Sequence, residues 1–357
     1  MASANAPIRY FLGTNTPEGF KECTSALYTS SDGWHTYILK GGAGTGKSTL
    51  LRSVYEQLGD EKTEVFCCSA DPASLDAIRL PRQKKLFIDG TAPHVLEPTC
   101  WNVTEEVVPL FLATQKNIIT AWAEDILLLS QKNAILHTQC RKLLKAAQGI
   151  LADNRELEKR AMHTDRIQKT ATQLANAEWT PLSQNGIQER RFISAVTPDG
   201  FTVLSSTIQA LCPRIFAIED EYGAVADLLL KQLLCRAVED GQHCIVCPCP
   251  LFPETSVEHL LLPDVGVAFV TSNRYHKVDY PVFRRLHASR FLNTDLLQEN
   301  RNLLRFQSKA VTELLQQASQ CVASAKIIHD RLEERYIAAT NWEIVNHLTQ
   351  NFLSEFV

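Results

Sequence analysis

The sequence of 357 residues has no excess of basic side chains, with 36 Lys and Arg against 40 Asp and Glu and a formal net charge of −4. A broad electrostatic footprint for nucleic acid or an anionic membrane surface is therefore not expected, although Arg284–Arg285 forms a local basic pair. No apolar stretch approaches the length that spans a bilayer, and no basic segment leads into an apolar run near the start. Those absences predict a cytoplasmic protein with no membrane association. Low-complexity tracts are also missing. At 45% hydrophobic and 21% charged the chain can bury a large core, and its length suggests two domains or one large one. The eleven cysteines form no disulfide framework and read as reduced, buried thiols. His243, Cys244, Cys247 and Cys249 cluster, but no second pair at ligand spacing follows. HCIVCPC reads as a strand running into a turn, which disfavours a zinc site needing four convergent ligands.

What the chain does contain is itself, twice. RYFLGTNTPEGF at 9–20 recurs as RRFISAVTPDGF at 190–201, a constant shift of 181. LDAIRLPRQKKLFIDGTAPH at 75–94 pairs with VEHLLLPDVGVAFVTSNRYH at 257–276, a shift of 182, so that Pro81, Phe87 and His94 meet Pro263, Phe269 and His276. A register held within a residue or two over such distances marks a tandem duplication. In each copy short apolar runs such as TYILK, EVFCCSA and KLFID alternate with turns and helical patterns, as a mostly parallel sheet flanked by helices requires. Glycine and proline then almost vanish: Gly149 is the only glycine between Thr91 and Asn185, and Val282–Val357 has neither residue. Apolar positions Ile126, Leu129, Leu136, Leu143, Ala147 and Ile150 predict long helices. These helices are expected to pair antiparallel within each copy. The sequence thus predicts an α/β protein of two tandem modules. The first is 1–182 with a helical extension at about 116–180, and the second is 183–357 with an extension at about 292–357.

One segment carries recognisable chemistry. Gly41, Gly42, Ala43, Gly44, Thr45, Gly46, Lys47 and Ser48 fit the pattern G-x-x-x-x-G-K-S in full, between a strand-like WHTYILK and a helix-like STLLRSVYEQL that begins with Ser48 and Thr49. Glycines let backbone N–H groups converge on an anion, and the following helix N-terminus adds partial positive charge. Lys47 is expected to reach the β- and γ-phosphates of a nucleoside triphosphate, and the Ser48 hydroxyl to ligate Mg²⁺. The metal also needs a carboxylate at a strand end. Asp89, after Leu86-Phe87-Ile88, is favoured; Asp71, closing VFCCSAD, is the rival. His94 and Thr91 in DGTAPH are candidates to touch the γ-phosphate or orient water, against the reading of a loop whose polar groups satisfy one another.

The second copy lacks these groups. At a shift of 179, Gly41, Gly46, Lys47 and Ser48 become Asp220, Val225, Ala226 and Asp227, and only Gly44 survives, as Gly223. Asp89 becomes Thr271. With Glu219 and Glu221 nearby, a polyphosphate would meet like charges, each pair at ~4 Å costing ~4 kcal/mol at an intermediate effective dielectric. A structural or regulatory pseudo-module is expected.

Taken together, TPEGF, ILKGGAGTGKSTLL, CCSADPASLDAI and IDGTAPHV resemble uncharacterised bacterial tandem P-loop ATPases, and the resemblance runs through nearly the whole chain by way of the repeat. It implies two P-loop NTPase-like modules and ATP binding, with Gly41, Gly46, Lys47, Ser48 and Asp89 at the matching positions. It names no substrate. The expected function is a Mg²⁺-dependent ATPase acting as a nucleotide-driven switch on an unidentified protein partner. The alternatives are a small-molecule kinase, for which Arg79, Arg82, Lys84 and Lys85 are candidates for a basic lid over an acceptor although a solvated charged loop is the favoured reading of them, and a nucleotide-binding regulator without turnover.

Overall fold

The computed structural model describes residues 7–356; residues 1–6 and 357 of the two expected modules lie outside the described residues. The first copy opens with β1 (Ile8–Phe11) and a hairpin, β2 (Gly13–Thr16) and β3 (Gly19–Glu22). Then come β4 (His35–Lys40), α1 (Lys47–Leu58), β5 (Glu64–Cys67), β6 (Leu75–Leu80), β7 (Lys85–Asp89) and β8 (Glu105–Pro109). The helical part is α2 (Lys116–Ala121), α3 (Ala123–Ala161) and α4 (Thr164–Glu178). The second copy repeats the order: β9 (Ile187–Arg190), β10 (Ser194–Thr197), β11 (Gly200–Val203), an additional α5 (Ser205–Leu211), β12 (Arg214–Glu219) and α6 (Ala224–Glu239). It continues with β13 (His243–Pro248), β14 (Val257–Leu262), β15 (Val267–Ser272), β16 (Arg284–His287), α7 (Thr294–Glu299), α8 (Arg301–Ala339) and α9 (Trp342–Ser354).

The result is α/β, with two six-stranded, mostly parallel sheets flanked by helices, an arrangement compatible with two tandem domains. The strand orders are β1-β5-β6-β7-β4-β8 and, read from the other edge, β9-β13-β14-β15-β12-β16. Each step of one sheet has its counterpart in the other. In both, the third strand runs against its neighbours: β6 is antiparallel to β5 and β7, and β14 to β13 and β15. The connections around β6 explain this, because a parallel crossover needs a dozen or more residues and the Pro81–Lys84 turn spans far fewer. The helix α1 supplies the longer crossover that lets β4 and β5 run the same way.

The helical extensions depart from the expected pairing within each copy. α3 and α8 are single helices of 39 residues each, roughly 58 Å long, and they pack against each other rather than against a helix of their own half. Cys140, Leu144, Ala147 and Leu151 of α3 meet Val311, Leu315, Ala318 and Val322 of α8, an alternation of four and three residues on both sides that makes a coiled-coil-like seam. The Arg335–Asp125 ion pair, at 2.7 Å, joins the end of α8 to the start of α3, so the pair is antiparallel. Beyond the seam the extensions exchange. α4 buries Ile167, Ala171, Leu174 and Ala175 in the core of the second sheet, whereas α9 buries Val345 and Phe352 in that of the first. Two short antiparallel bridges, Thr114–Thr340 and Met162–Leu292, pin the crossings at equivalent points of the repeat.

The exchange has an energetic reason. An amphipathic helix must cover its apolar face, and each sheet is left with a bare face that the other half's terminal helix fits. The halves are further joined by a common core containing Phe11, Leu12 and Phe66 with Phe192, Ile193 and Ile208. Beside it lies a buried ionic cluster: Arg191, fully buried, reaches Glu64 at 3.1 Å and Glu189 at 3.3 Å, and Arg79 reaches the same two carboxylates. Among the described residues no helix is long and apolar enough to cross a membrane.

Candidate functional site

The loop between β4 and α1 begins where the buried strand HTYILK runs out and ends at a helix N-terminus capped by Gly46. Gly44 and Gly46 have φ of 68° and 92°, the left-handed region that glycine alone adopts without strain. The consequence is visible in the hydrogen bonding. Among the described residues the amides of Gly42, Ala43, Gly44 and Gly46 donate to no protein acceptor. Lys47 folds back over the loop, its ammonium 2.8 Å from the Gly41 carbonyl, 2.7 Å from that of Gly42 and 3.6 Å from Asp89. Thr45 Oγ1 donates to the Gly42 carbonyl at 2.9 Å, which holds the loop's curvature, and Thr49 begins the exposed face of α1.

The carboxylates separate. Asp89, at the end of β7, is brought beside Lys47 by the parallel pairing of β4 with β7, and its Oδ1 accepts the Thr91 N–H at 2.8 Å. Burial raises the Asp89 pKa, while the charge of Lys47 and the Thr91 amide pull it back down. Asp71 instead faces Lys326 of α8 at 3.9 Å. Ser48, one residue into α1, accepts the Leu75 N–H at 3.0 Å, and Thr91 donates to the Gly41 carbonyl at 3.0 Å.

His94 is buried between two acids, Nδ1 at 3.0 Å from Glu22 and Nε2 at 3.2 Å from Asp76. Burial alone would lower its pKa, but the bonds to Asp76 and Glu22 outweigh that and raise it to about 10, so the ring is an imidazolium. Glu22 and Asp76 were not singled out in the sequence. The antiparallel run of β6 puts Asp76 next to Leu75, hence next to the loop, and the only sequence signal for it is its repeat partner Glu258.

The basic side chains proposed as an acceptor lid are all engaged elsewhere. Arg79 lies in the buried ionic cluster and over the Trp34 ring at 4.4 Å, and Arg82 pairs with Asp60 and Glu61. Lys84 donates to the Asp32 carbonyl, and Lys85 lies over the Phe356 ring. Each of the four side chains thus already has a partner in this structure.

The second loop, Asp220–Gly223, has a different end state. Gly223 keeps the positive φ of Gly44, at 84°, but α6 begins immediately after it, so residues that form open loop in the first copy are wound into helix. The alignment at a shift of 179 persists inside the helix, where Asp227 Oδ1 accepts the Val257 N–H at 2.9 Å just as Ser48 accepts that of Leu75. The freed amides are taken by carboxylates. Glu158, from α3, accepts the Ala224 N–H at 2.9 Å, and Asp220 accepts the Ala226 N–H at 2.7 Å. Arg155 donates to the Gly223 carbonyl at 2.8 Å and to Ser256 at 2.7 Å. Burial, together with the charge and hydrogen bond of Asp220, raises the Glu158 pKa well above the usual carboxylate range. Of the other acids, Glu219, Glu221 and Asp227 pair with Arg285, Arg274 and Lys231. A carboxylate thus stands where the first loop leaves its amides free.

Other clusters offer less. Cys244 and Cys247 belong to opposite faces of β13 and to different cores, so the His243–Cys249 group does not converge on a metal. All eleven cysteines are free thiols. Glu258, His259 and His276 bring ligand atoms within 4.8 Å of one another. His259 Nδ1, however, accepts the Thr271 N–H at 3.3 Å, which places its proton on Nε2, facing Ser194 at 3.2 Å, and leaves no lone pair for an ion.

Comparison of the chain with protein families, curated proteins and solved structures finds no match.

Proposed function

We propose that the chain is a P-loop protein that binds one nucleoside triphosphate, MgATP, on the Gly41–Ser48 loop and hydrolyses it, the bound nucleotide serving as a switch. The observation that carries this reading is the set of loop amides left without protein acceptors beside the Lys47 ammonium and at the start of α1. Backbone donors gathered on one partly exposed loop at a helix N-terminus favour an anion, and a polyphosphate is the ligand whose charge and oxygen spacing suit them. Ser48 and Asp89 are the residues that would hold Mg²⁺: a hydroxyl on the first turn of α1 and a carboxylate at a strand end, both hard oxygen donors. When bound, the ion neutralises charge on the phosphates. Lys47 would exchange its loop carbonyls for phosphate oxygens, and the loop amides would orient the γ-phosphoryl group. The second copy then acts as a structural or regulatory partner, because Glu158 and Asp220 already occupy the amides that phosphate would need.

Equilibrium dialysis with a slowly hydrolysed ATP analogue should saturate near one equivalent per chain, and Lys47→Ala should remove most of that binding. Two equivalents, with one persisting in the variant, would refute the single-site reading. Release of free phosphate from MgATP supports hydrolysis, whereas labelled metabolites from a cell extract would make the protein a kinase.

A further inference from the structure

The glycine-rich loop belongs to the first copy, yet its outer surface is covered by the end of the second. A β-carbon at Gly42 would collide with the ring of Tyr336, on the last turn of α8. At Gly44 it would meet Ile337 Cγ1 at 2.8 Å and Glu333 Cγ at 3.0 Å, and at Gly46 it would meet Val345 Cγ1 at 3.1 Å and Trp342 at 3.6 Å. Three glycines of one loop are thus each in contact with α8 or α9. Glycine at position 42 thus leaves room for the Tyr336 ring to lie directly against the loop.

The repeat supplies a control for this arrangement. Tyr336 of α8 corresponds to Glu158 of α3 at a shift of 178, the shift that also superposes the two helix starts. Each long helix therefore delivers one residue onto the loop of the other half. At the second loop the contact is polar and buried, with Glu158 on the Ala224 amide and Arg155 on the Gly223 carbonyl. At the first loop, among the described residues, no side chain of α8 or α9 hydrogen-bonds residues 41–48, and what lies nearest the glycines is side-chain carbon together with the Glu333 carbonyl oxygen. Breaking them orphans no donor or acceptor, whereas breaking the second set leaves a buried N–H unpaired. Ile337 and Trp342 are moreover about two-fifths exposed, so this cover is thin on its outer side.

We propose that the Tyr336 ring and its neighbouring side chains on the last turn of α8 are a lid on the nucleotide site, held shut by Tyr336 against Gly42 and displaced when a triphosphate binds. The inference rests on the reading of the loop given under Proposed function and adds its regulation. A closed majority state lowers apparent affinity by the fraction of molecules that are open, so weakening the lid tightens binding. The second copy thereby controls access to a site it does not itself contain.

The test is a titration of the full chain and of Tyr336→Ala with a fluorescent ATP analogue, alongside hydrogen exchange of residues 333–345 with and without MgATP. The proposal expects Tyr336→Ala to bind at least fivefold more tightly, with faster association, and expects the 333–345 amides of the parent to exchange faster when nucleotide is present. Circular dichroism and urea unfolding of the variant establish that it is folded, and Ile337→Ala provides a second, milder opening of the same contact. Binding that depends on Lys47 but is unchanged in both lid variants, with unaltered exchange in 333–345, would overturn the lid and leave the nucleotide reading standing. Absence of binding in the parent and in both variants would overturn the two together.

Discussion

Replacing Glu158 by glutamine and by alanine separates the hydrogen bond this residue makes from the charge it could carry. The side chain is buried at 1% exposure, accepts the Ala224 N–H and lies against Asp220, and burial with that neighbouring charge raises its pKa. Alanine orphans an amide on a residue that is 3% exposed, a loss of about 1–3 kcal/mol at any pH. Glutamine keeps an acceptor for Ala224 and offers Asp220 a donor, with no proton to lose. The sign of the pH effect follows from the raised folded-state pKa. Below the ordinary value of 4.5 the wild-type acid is protonated in both states and this term is fully stabilising. As pH rises past it, the unfolded chain releases a proton that the folded chain retains, and stability falls by up to ~1.4 kcal/mol per pH unit until the folded-state pKa is passed. Urea unfolding at pH 5, 6.5 and 8 measures this as the difference between wild type and variant, which cancels the other titrating groups. Glu158→Gln should match the wild type near pH 5 and exceed it at pH 8, while Glu158→Ala lies below Glu158→Gln throughout. Parallel wild-type and glutamine curves across the range would refute the raised Glu158 pKa, and an alanine variant as stable as glutamine would refute the capping of the second loop.

Three further outcomes are expected. The His94 pKa is raised from 6.5 to about 10, so its contribution is complete below 6.5 and lost as pH climbs through 10; His94→Gln should flatten the fall in unfolding free energy between pH 6 and 10. Arg191→Met should destabilise the protein by about 3 kcal/mol in urea unfolding, because it leaves the buried Glu64 with Arg79 as its one cationic partner, and a loss under 1 kcal/mol would show the cluster to be dispensable. Asp89→Asn should cut Mg²⁺-dependent phosphate release at least tenfold while sparing metal-free nucleotide binding, and Asp71→Asn, whose partner is Lys326, should change it less than twofold. The reverse order in steady-state assays would return the metal role to Asp71.

The sequence by itself determined what depends on local pattern. Strand-forming runs around a glycine-rich loop put Lys47 at the start of α1, and the repeat put Thr271 where Asp89 stands and Asp227 where Ser48 stands, register the two sheets reproduce. Helical periodicity marked the extensions, because an apolar stripe repeats every few residues whatever it packs against. It could not say against what. The stripe of α3 fits α8 as well as it would fit a neighbour in its own half, and only the three-dimensional arrangement of two duplicated sheets, each with one uncovered face, sends α4 and α9 to opposite halves. The same holds at the loops. Tyr336 and Glu158 lie at helix positions with no motif around them, far along the chain from Gly42 in one case and 66 residues before Ala224 in the other. Such contacts are fixed by where two rigid helices end, and chain order leaves no local trace of that.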